Sequence, residues 1–404
     1  MEQDRILIAG GGIGGLATAI GLARKGIASL VLEKANRLGE IGAGIQLGPN
    51  AFHAFDYLGV GDAARRMAVY IDNLRLMDAI EGSEITRIPL GPDFRSRFGN
   101  PYAVVHRGDL HGVFLSACEA HPLVSLKTAS EVIDYEQDTG SVTVTLADGT
   151  RVGGRAMIGA DGLWSRVRQK VIGDGDPRVS GHTTYRSVIP TEDMPEDLRW
   201  NAATLWAGPK CHIVHYPLSG WKVFNLVVTY HNNAPSPENG VPVSHEEVRE
   251  GFEHVAPVAR QIIDKGHDWK RWVLCDRDPA DNWVDGRVAV LGDAAHPQLQ
   301  YFAQGACMAM EDAVALAHVL ADGLGDLEKK LNDYQKMRRT RTARIQLQSR
   351  EIGDHIYHPA GAHAELRNQI MSSKRPEDWY DILSWVYGSN GLDGAVSKET
   401  LSKR

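Results

Sequence analysis

Arg5-Ile-Leu-Ile-Ala-Gly10-Gly-Gly12-Ile-Gly-Gly15 decides the fold: an aliphatic run breaks into glycines and opens onto Ile13 to Lys25, where apolar residues recur at helical spacing. That order predicts strand, turn and helix. Ser29-Leu-Val-Leu-Glu33 reads as a second strand, so the first 33 residues form a βαβ unit of a parallel sheet. Gly10, Gly12 and Gly15 hold the GxGxxG spacing. The first glycine permits a tight turn, the second lets backbone approach a pyrophosphate, and the third lets helix pack on strand. The helix amino terminus, with Ile13 and Gly14 in its first turn, offers unpaired N–H groups to phosphates. Glu33, followed by Lys34, can accept hydrogen bonds from ribose hydroxyls.

Working outward, apolar strand-like segments recur at Arg155–Ala160 and Arg287–Gly292, each running into Gly and Asp, so the nucleotide-binding sheet is discontinuous in sequence. Between them, roughly Ser180 to Trp272 alternates, as in His212-Ile-Val-His-Tyr216 and Lys222-Val-Phe-Asn-Leu-Val-Val-Thr229, the pattern of half-buried antiparallel strands. After Glu311, alanine-rich helical spacing runs to Arg350, and the last fifty residues carry Tyr357, Trp379, Tyr380, Trp385 and Tyr387 among polar residues. The expected class is α/β, α+β overall: a Rossmann-like parallel sheet, an antiparallel-sheet domain and C-terminal helices.

Composition bounds the function. The 404 residues, 43% hydrophobic and 24% charged, support two or three domain-sized units. A net charge of −7 with interspersed signs offers no contiguous basic face, so neither nucleic acid nor an anionic membrane is an expected partner. No apolar run approaches the roughly 18 residues of a membrane span, and no leader pattern precedes the first strand, so a cytoplasmic protein is expected. Cys118, Cys211, Cys275 and Cys307 are widely spaced, fit neither a disulfide framework nor a metal site, and read as buried small apolar residues.

Two further clusters separate FAD from NAD. Gly159-Ala-Asp161-Gly-Leu-Trp-Ser165-Arg-Val-Arg168 and Gly292-Asp293-Ala-Ala-His296-Pro297 resemble, in order and spacing, the class A flavoprotein monooxygenases, and the likeness covers nearly the whole chain. The resemblance implies that Asp293 binds the ribityl chain of FAD, that the Asp161 cluster serves FAD and a nicotinamide cofactor, and that Arg107 lies near the FAD phosphates. Gly42-Ala43-Gly44-Ile-Gln46-Leu-Gly-Pro-Asn-Ala51 looks like the segment beside the isoalloxazine ring, where glycine permits close approach. Pro297, Gly305 and Ala306 complete the implied cofactor set. Residues 1–177 then form the first part of an FAD-binding domain, with a segment near 70–105 as a candidate to join the substrate domain. Residues 178–275 form that substrate domain, 276–350 the second FAD part, and 351–404 a C-terminal helical segment. A single GxGxxG means that NADH, the expected co-substrate, visits without a Rossmann domain of its own.

Gly208-Pro-Lys-Cys-His212-Ile-Val-His-Tyr216-Pro-Leu218 and His296-Pro-Gln-Leu-Gln300-Tyr301-Phe-Ala-Gln-Gly305 narrow the likeness to a subgroup that hydroxylates 3-hydroxybenzoate para to its phenol, giving gentisate. Related hydroxylases mostly have proline where Gln300 stands. The implied oxidant is an electrophilic flavin C4a-hydroperoxide formed with O2, and a phenol attacks it better once its proton is shared with a base. His212, an imidazole expected near neutral pKa, is the candidate base. Gln300 is the candidate partner of the phenol oxygen, and Tyr216 positions substrate. His215 falls on the opposite strand face unless a bulge intervenes, and His296 reads as structural. These motifs offer no obvious arginine for the substrate carboxylate. Salicylate and 6-hydroxynicotinate hydroxylases share every cofactor motif. A flavin-binding regulator without turnover and a plain nicotinamide dehydrogenase are the readings from other classes, and a homodimer is the expected assembly.

Overall fold

The computed structural model describes residues 4–39 and 44–393. Ile6–Ala9, Ser29–Leu32, Val124–Lys127, Ala156–Gly159 and Val288–Val290 form a parallel sheet, closed at one edge by the antiparallel Val284–Asp285. In space the order runs 284, 288, 156, 6, 29, 124, so the first strand lies between partners 127 residues apart in the chain, Ile6 facing Ala156 as well as Ser29. Ile6, Leu7 and Ile8 have no exposed surface. Continuous aliphatic strands of this kind are what a sheet covered on both faces requires. One cover is the Ile13–Ala23 helix packed against Gly305–Val319; Gly14 keeps that contact close, since a Cβ there would sit 2.8 Å from Leu291 and 3.3 Å from the Ala309 Cβ.

The second body is an eight-stranded sheet in the order Asn239–Pro242, Lys270–Asp276, Arg178–Pro190, Val223–His231, Cys211–Leu218, Ala202–Gly208, Asn73–Asp78, Glu84–Pro89. It is antiparallel except where Asn73–Asp78 runs parallel to Ala202–Gly208. One face buries Tyr185, Trp206, Ile213, Phe224 and Val228 against the short helices His245–Glu250 and Pro257–Asp264; the other faces the nucleotide half. Gly44–Leu47 pairs with Ala103–His106 in a small sheet between the two.

The fold class read from the sequence is the one observed. The helical spacing after Glu311 resolves into two helices, Gly305–Val319 and Leu327–Ile352, separated by a glycine-containing turn at 320–326; Ala362–Ser372 and Pro376–Tyr387 follow. Cys275 departs from the all-buried reading: it is half-buried, the other three are buried, and all four are free. Among the described residues no helix is long and apolar enough to cross a membrane.

Candidate active site

The carboxyl ends of the parallel strands and the inner face of the eight-stranded sheet enclose one cavity of about 470 Å³. At its nucleotide end Gly10 takes a φ of +106°, and a Cβ there would lie 2.4 Å from the Ala160 carbonyl oxygen, so this turn is open only to glycine. Gly15 sits beneath it rather than on the wall: its Cβ would come 2.0 Å from the Gly10 oxygen, the close helix-on-strand packing expected of the third glycine. Two helix amino termini face the same space. Gly12 precedes Ile13–Ala23 and Gln304 precedes Gly305–Val319, neither with a side-chain cap, and Gly12, Ile13, Gly14, Gly305 and Ala306 all line the cavity. Free N–H groups and the positive ends of two helix dipoles thus meet where an anion would lie.

The charged groups of this end are held in place by backbone. Glu33 accepts the Gly11 N–H at 2.7 Å and the Ala35 N–H at 2.8 Å, which fixes its carboxylate beside Lys34 at the cavity. Asp161 accepts the Ser165 hydroxyl at 2.5 Å and the Arg166 N–H at 2.8 Å, capping a helix while its strand end lines the wall. Asp293 is exposed on the wall, and Arg107 lines the same cavity. Arg168, fully buried, donates to the carbonyls of Ala294 at 2.9 Å and Ala295 at 2.6 Å and pairs with Asp174 at 2.5 Å, joining the two motifs that bracket the cavity. Pro297 is buried behind this loop, its carbonyl accepting from Gln346 at 3.2 Å, and does not line the cavity; Ala43 lies outside the described residues.

At the far end, register on the sheet sets the wall. His212, Thr229 and Thr184 form one row across three strands, Val214, Val227 and Arg186 the next, and Tyr216 and Asn225 share a third. Cys211–Leu218 pairs on both sides without a bulge, so His215 points away, its Nε2 accepting the Trp206 indole N–H at 3.1 Å. Gly44 joins the two halves: its N–H donates to the Asn225 side-chain oxygen at 2.8 Å, and a Cβ would lie 2.5 Å from the Tyr216 ring. Gln46 accepts the Tyr102 hydroxyl at 2.8 Å.

Gln300 hangs over these rows with its amide oriented. Its nitrogen donates to the hydroxyls of Thr184 at 3.1 Å and Thr229 at 3.2 Å, and its oxygen accepts from Arg186 at 3.0 Å. His212 lies against Tyr357, and its Nδ1 is 2.8 Å from His358 Nε2, leaving Nε2 as its remaining nitrogen. Burial first, then His358 and His182, pushes its pKa well below the ordinary histidine value, which corrects the near-neutral expectation. Its ring is therefore held neutral. His296 stands apart, 2.6 Å from Asp312 and tilted against the Trp283 ring.

Sequence reasoning missed Arg186, His358, Tyr357 and the two threonines. Arg186 carries a signal in hindsight: a lone cation amid the strand residues His182-Thr-Thr-Tyr-Arg-Ser-Val-Ile.

Uncapped helix ends, backbone bared by glycine, an exposed carboxylate and an arginine suit the phosphates and polyol of a dinucleotide; the apolar and hydroxyl-bearing sheet beyond suits a small aromatic. A fold and site of this kind define a flavin-dependent aromatic-ring monooxygenase. The comparisons agree: the model of the FAD-binding domain family matches residues 4–349, and the chain belongs to that family and binds FAD. It is 56% identical over 391 residues to 3-hydroxybenzoate 6-hydroxylase 1 of Aquipseudomonas alcaligenes, covering 97% of this chain and 99% of that protein. It is 51% identical over 385 residues to 3-hydroxybenzoate 6-hydroxylase of Polaromonas naphthalenivorans strain CJ2, covering 95% and 96%. Among solved structures, Klebsiella pneumoniae HpxO complexed with FAD and uric acid superposes with a TM-score of 0.84 at 25% identity, covering 96% of this chain and 98% of that one.

Proposed function

We propose that this enzyme hydroxylates 3-hydroxybenzoate para to its phenol, taking 3-hydroxybenzoate, NADH, O2 and a proton to gentisate, NAD⁺ and water. The bound flavin, reduced by NADH, supplies the activated oxygen. The residues supply binding, orientation and proton handling. With His212 Nδ1–H donating to His358, Nε2 carries the lone pair and can accept the phenolic proton. Losing that proton raises electron density at the para carbon. Gln300 lines the same end, where an amide N–H turned from a threonine would donate to the phenolate oxygen, and Tyr216 borders the ring.

The observation that carries this reading is the convergence of His212, Gln300 and Tyr216 on one end of the FAD cavity, in a chain about half identical to enzymes named for this reaction. The test is aerobic incubation of the yellow enzyme with NADH and a panel of hydroxybenzoates, products identified by mass and ring position. Gentisate from 3-hydroxybenzoate is expected. Turnover of salicylate with release of carbon dioxide would replace this reading by a decarboxylating one, and NADPH run in parallel settles the nicotinamide preference. The same reading carries a cytoplasmic homodimer, which fractionation and light scattering test.

A further inference from the structure

Arg186 is the cation of the substrate end. It stands in the row of Val214 and Val227 on the inner sheet face, two strands from His212 and Tyr216, and lines the cavity with them. One guanidinium nitrogen donates to Gln300, the Trp272 ring lies 5.0 Å from its central carbon, and its Nε is buried with no hydrogen-bond partner. Among the described residues no carboxylate pairs with it, whereas Arg168, Arg338 and Arg350 each meet one. A charge removed from water without a counter-charge is costly, and a ligand carboxylate would offset that cost. Burial, with Arg107 nearby, lowers its pKa to about 10, so it is still a cation at working pH.

We propose that Arg186 is the partner of the substrate carboxylate and makes the site selective for aromatic acids over neutral phenols. This rests on the proposed substrate class, an aromatic carboxylate. The geometry separates the two polar ends of a meta-hydroxybenzoate: phenol toward His212, carboxylate toward the guanidinium, the ring over Val214 and Val227. A guanidinium presents two parallel donors to a carboxylate. Because Arg186 also fixes the Gln300 oxygen, occupation of the anion site and orientation of the phenol partner are coupled through one hydrogen bond. The same positive charge favours the phenolate over the phenol.

The experiment titrates oxidised holoenzyme with 3-hydroxybenzoate and with the neutral 3-hydroxybenzamide, following the flavin absorbance change, in wild type, Arg186→Gln and Arg186→Lys. For R186Q the Kd of the acid should rise roughly 10- to 100-fold, the loss of a charge-assisted hydrogen bond, while that of the amide moves by no more than about threefold. R186K, which keeps the charge without the paired donors, should fall between. Equal losses for both ligands, an unchanged Kd for the acid, or loss of FAD from both variants would overturn the assignment. If wild type responds to no hydroxybenzoate, the proposed function has failed instead.

Discussion

His212 Nδ1 and His358 Nε2 lie 2.8 Å apart, so the proposed base and a residue 146 positions later in the chain share one proton. Only one tautomer of the pair lets His212 accept from a phenol, the one in which it donates to His358. His358 is itself held neutral, its pKa lowered to about 3 by burial and by His182 and His231.

His212→Ala should therefore keep FAD and lose ring hydroxylation by about 10²- to 10⁴-fold, the range of a positioned general base. Rapid mixing of the reduced enzyme with oxygen and substrate, followed by product yield, measures it; an unchanged yield removes His212 from the chemistry. His358→Leu should lower the same rate and alter its pH profile, and His358→Gln, which retains an acceptor, should recover part of it.

Asp293→Ala removes the exposed carboxylate from the loop that Arg168 holds. FAD should dissociate during gel filtration, giving mostly colourless protein that refills at high flavin concentration. Fully yellow protein after the column would show that the carboxylate does not hold the cofactor.

Arg338 is buried between Glu311 at 2.6 Å and Asp312 at 2.7 Å on the helix whose amino terminus meets the cavity. Burial alone would raise both acids, but Arg338, with Arg341 beside Glu311 and His296 beside Asp312, keeps them lowered and ionised. Arg338→Met leaves two buried carboxylates short of a partner and should cost about 3–5 kcal/mol, read by denaturant unfolding of the holoenzyme. A loss under about 1 kcal/mol would show that the pair is screened.

Acid should unfold the protein early. Burial lowers the pKa of His182 to about 4 and of His215 and His358 to about 3. Their folded values lie below that of the unfolded chain, about 6.5, so as pH falls through 6.5 the unfolded state takes up protons that the folded state refuses. Stability is full above that value and declines toward pH 4, by at most about 1.4 kcal/mol per pH unit for each histidine. Urea midpoints at pH 7.5 and 5.5 measure the slope, and His215→Gln should reduce it. A flat profile would contradict the neutral burial of these rings.

The cofactor half was legible because its determinants are local: Gly10 is required by the turn, Gly15 by close packing beneath it and Glu33 by the end of the next strand, all within one βαβ unit. The sheet faces were legible from alternation, which placed His212 and His215 on opposite sides. Arg186, Thr184 and His358 were not. Each reaches the site through cross-strand register or through the return of the C-terminal segment, neither of which leaves a periodic signal in the chain. The environment of His212 was illegible for the same reason, since its neighbours His182 and His358 come from distant positions.

The strand order 288, 156, 6 has a consequence for synthesis. Leu7 sits beside Met157, which in turn sits beside Val288, and the helix end at Gly305 closes the pocket. A growing polypeptide therefore exposes a glycine-rich cradle early and completes its walls only after the strand at 288 and the helix end at 305 have been made. Nascent chains arrested before that point should be colourless and open along one edge.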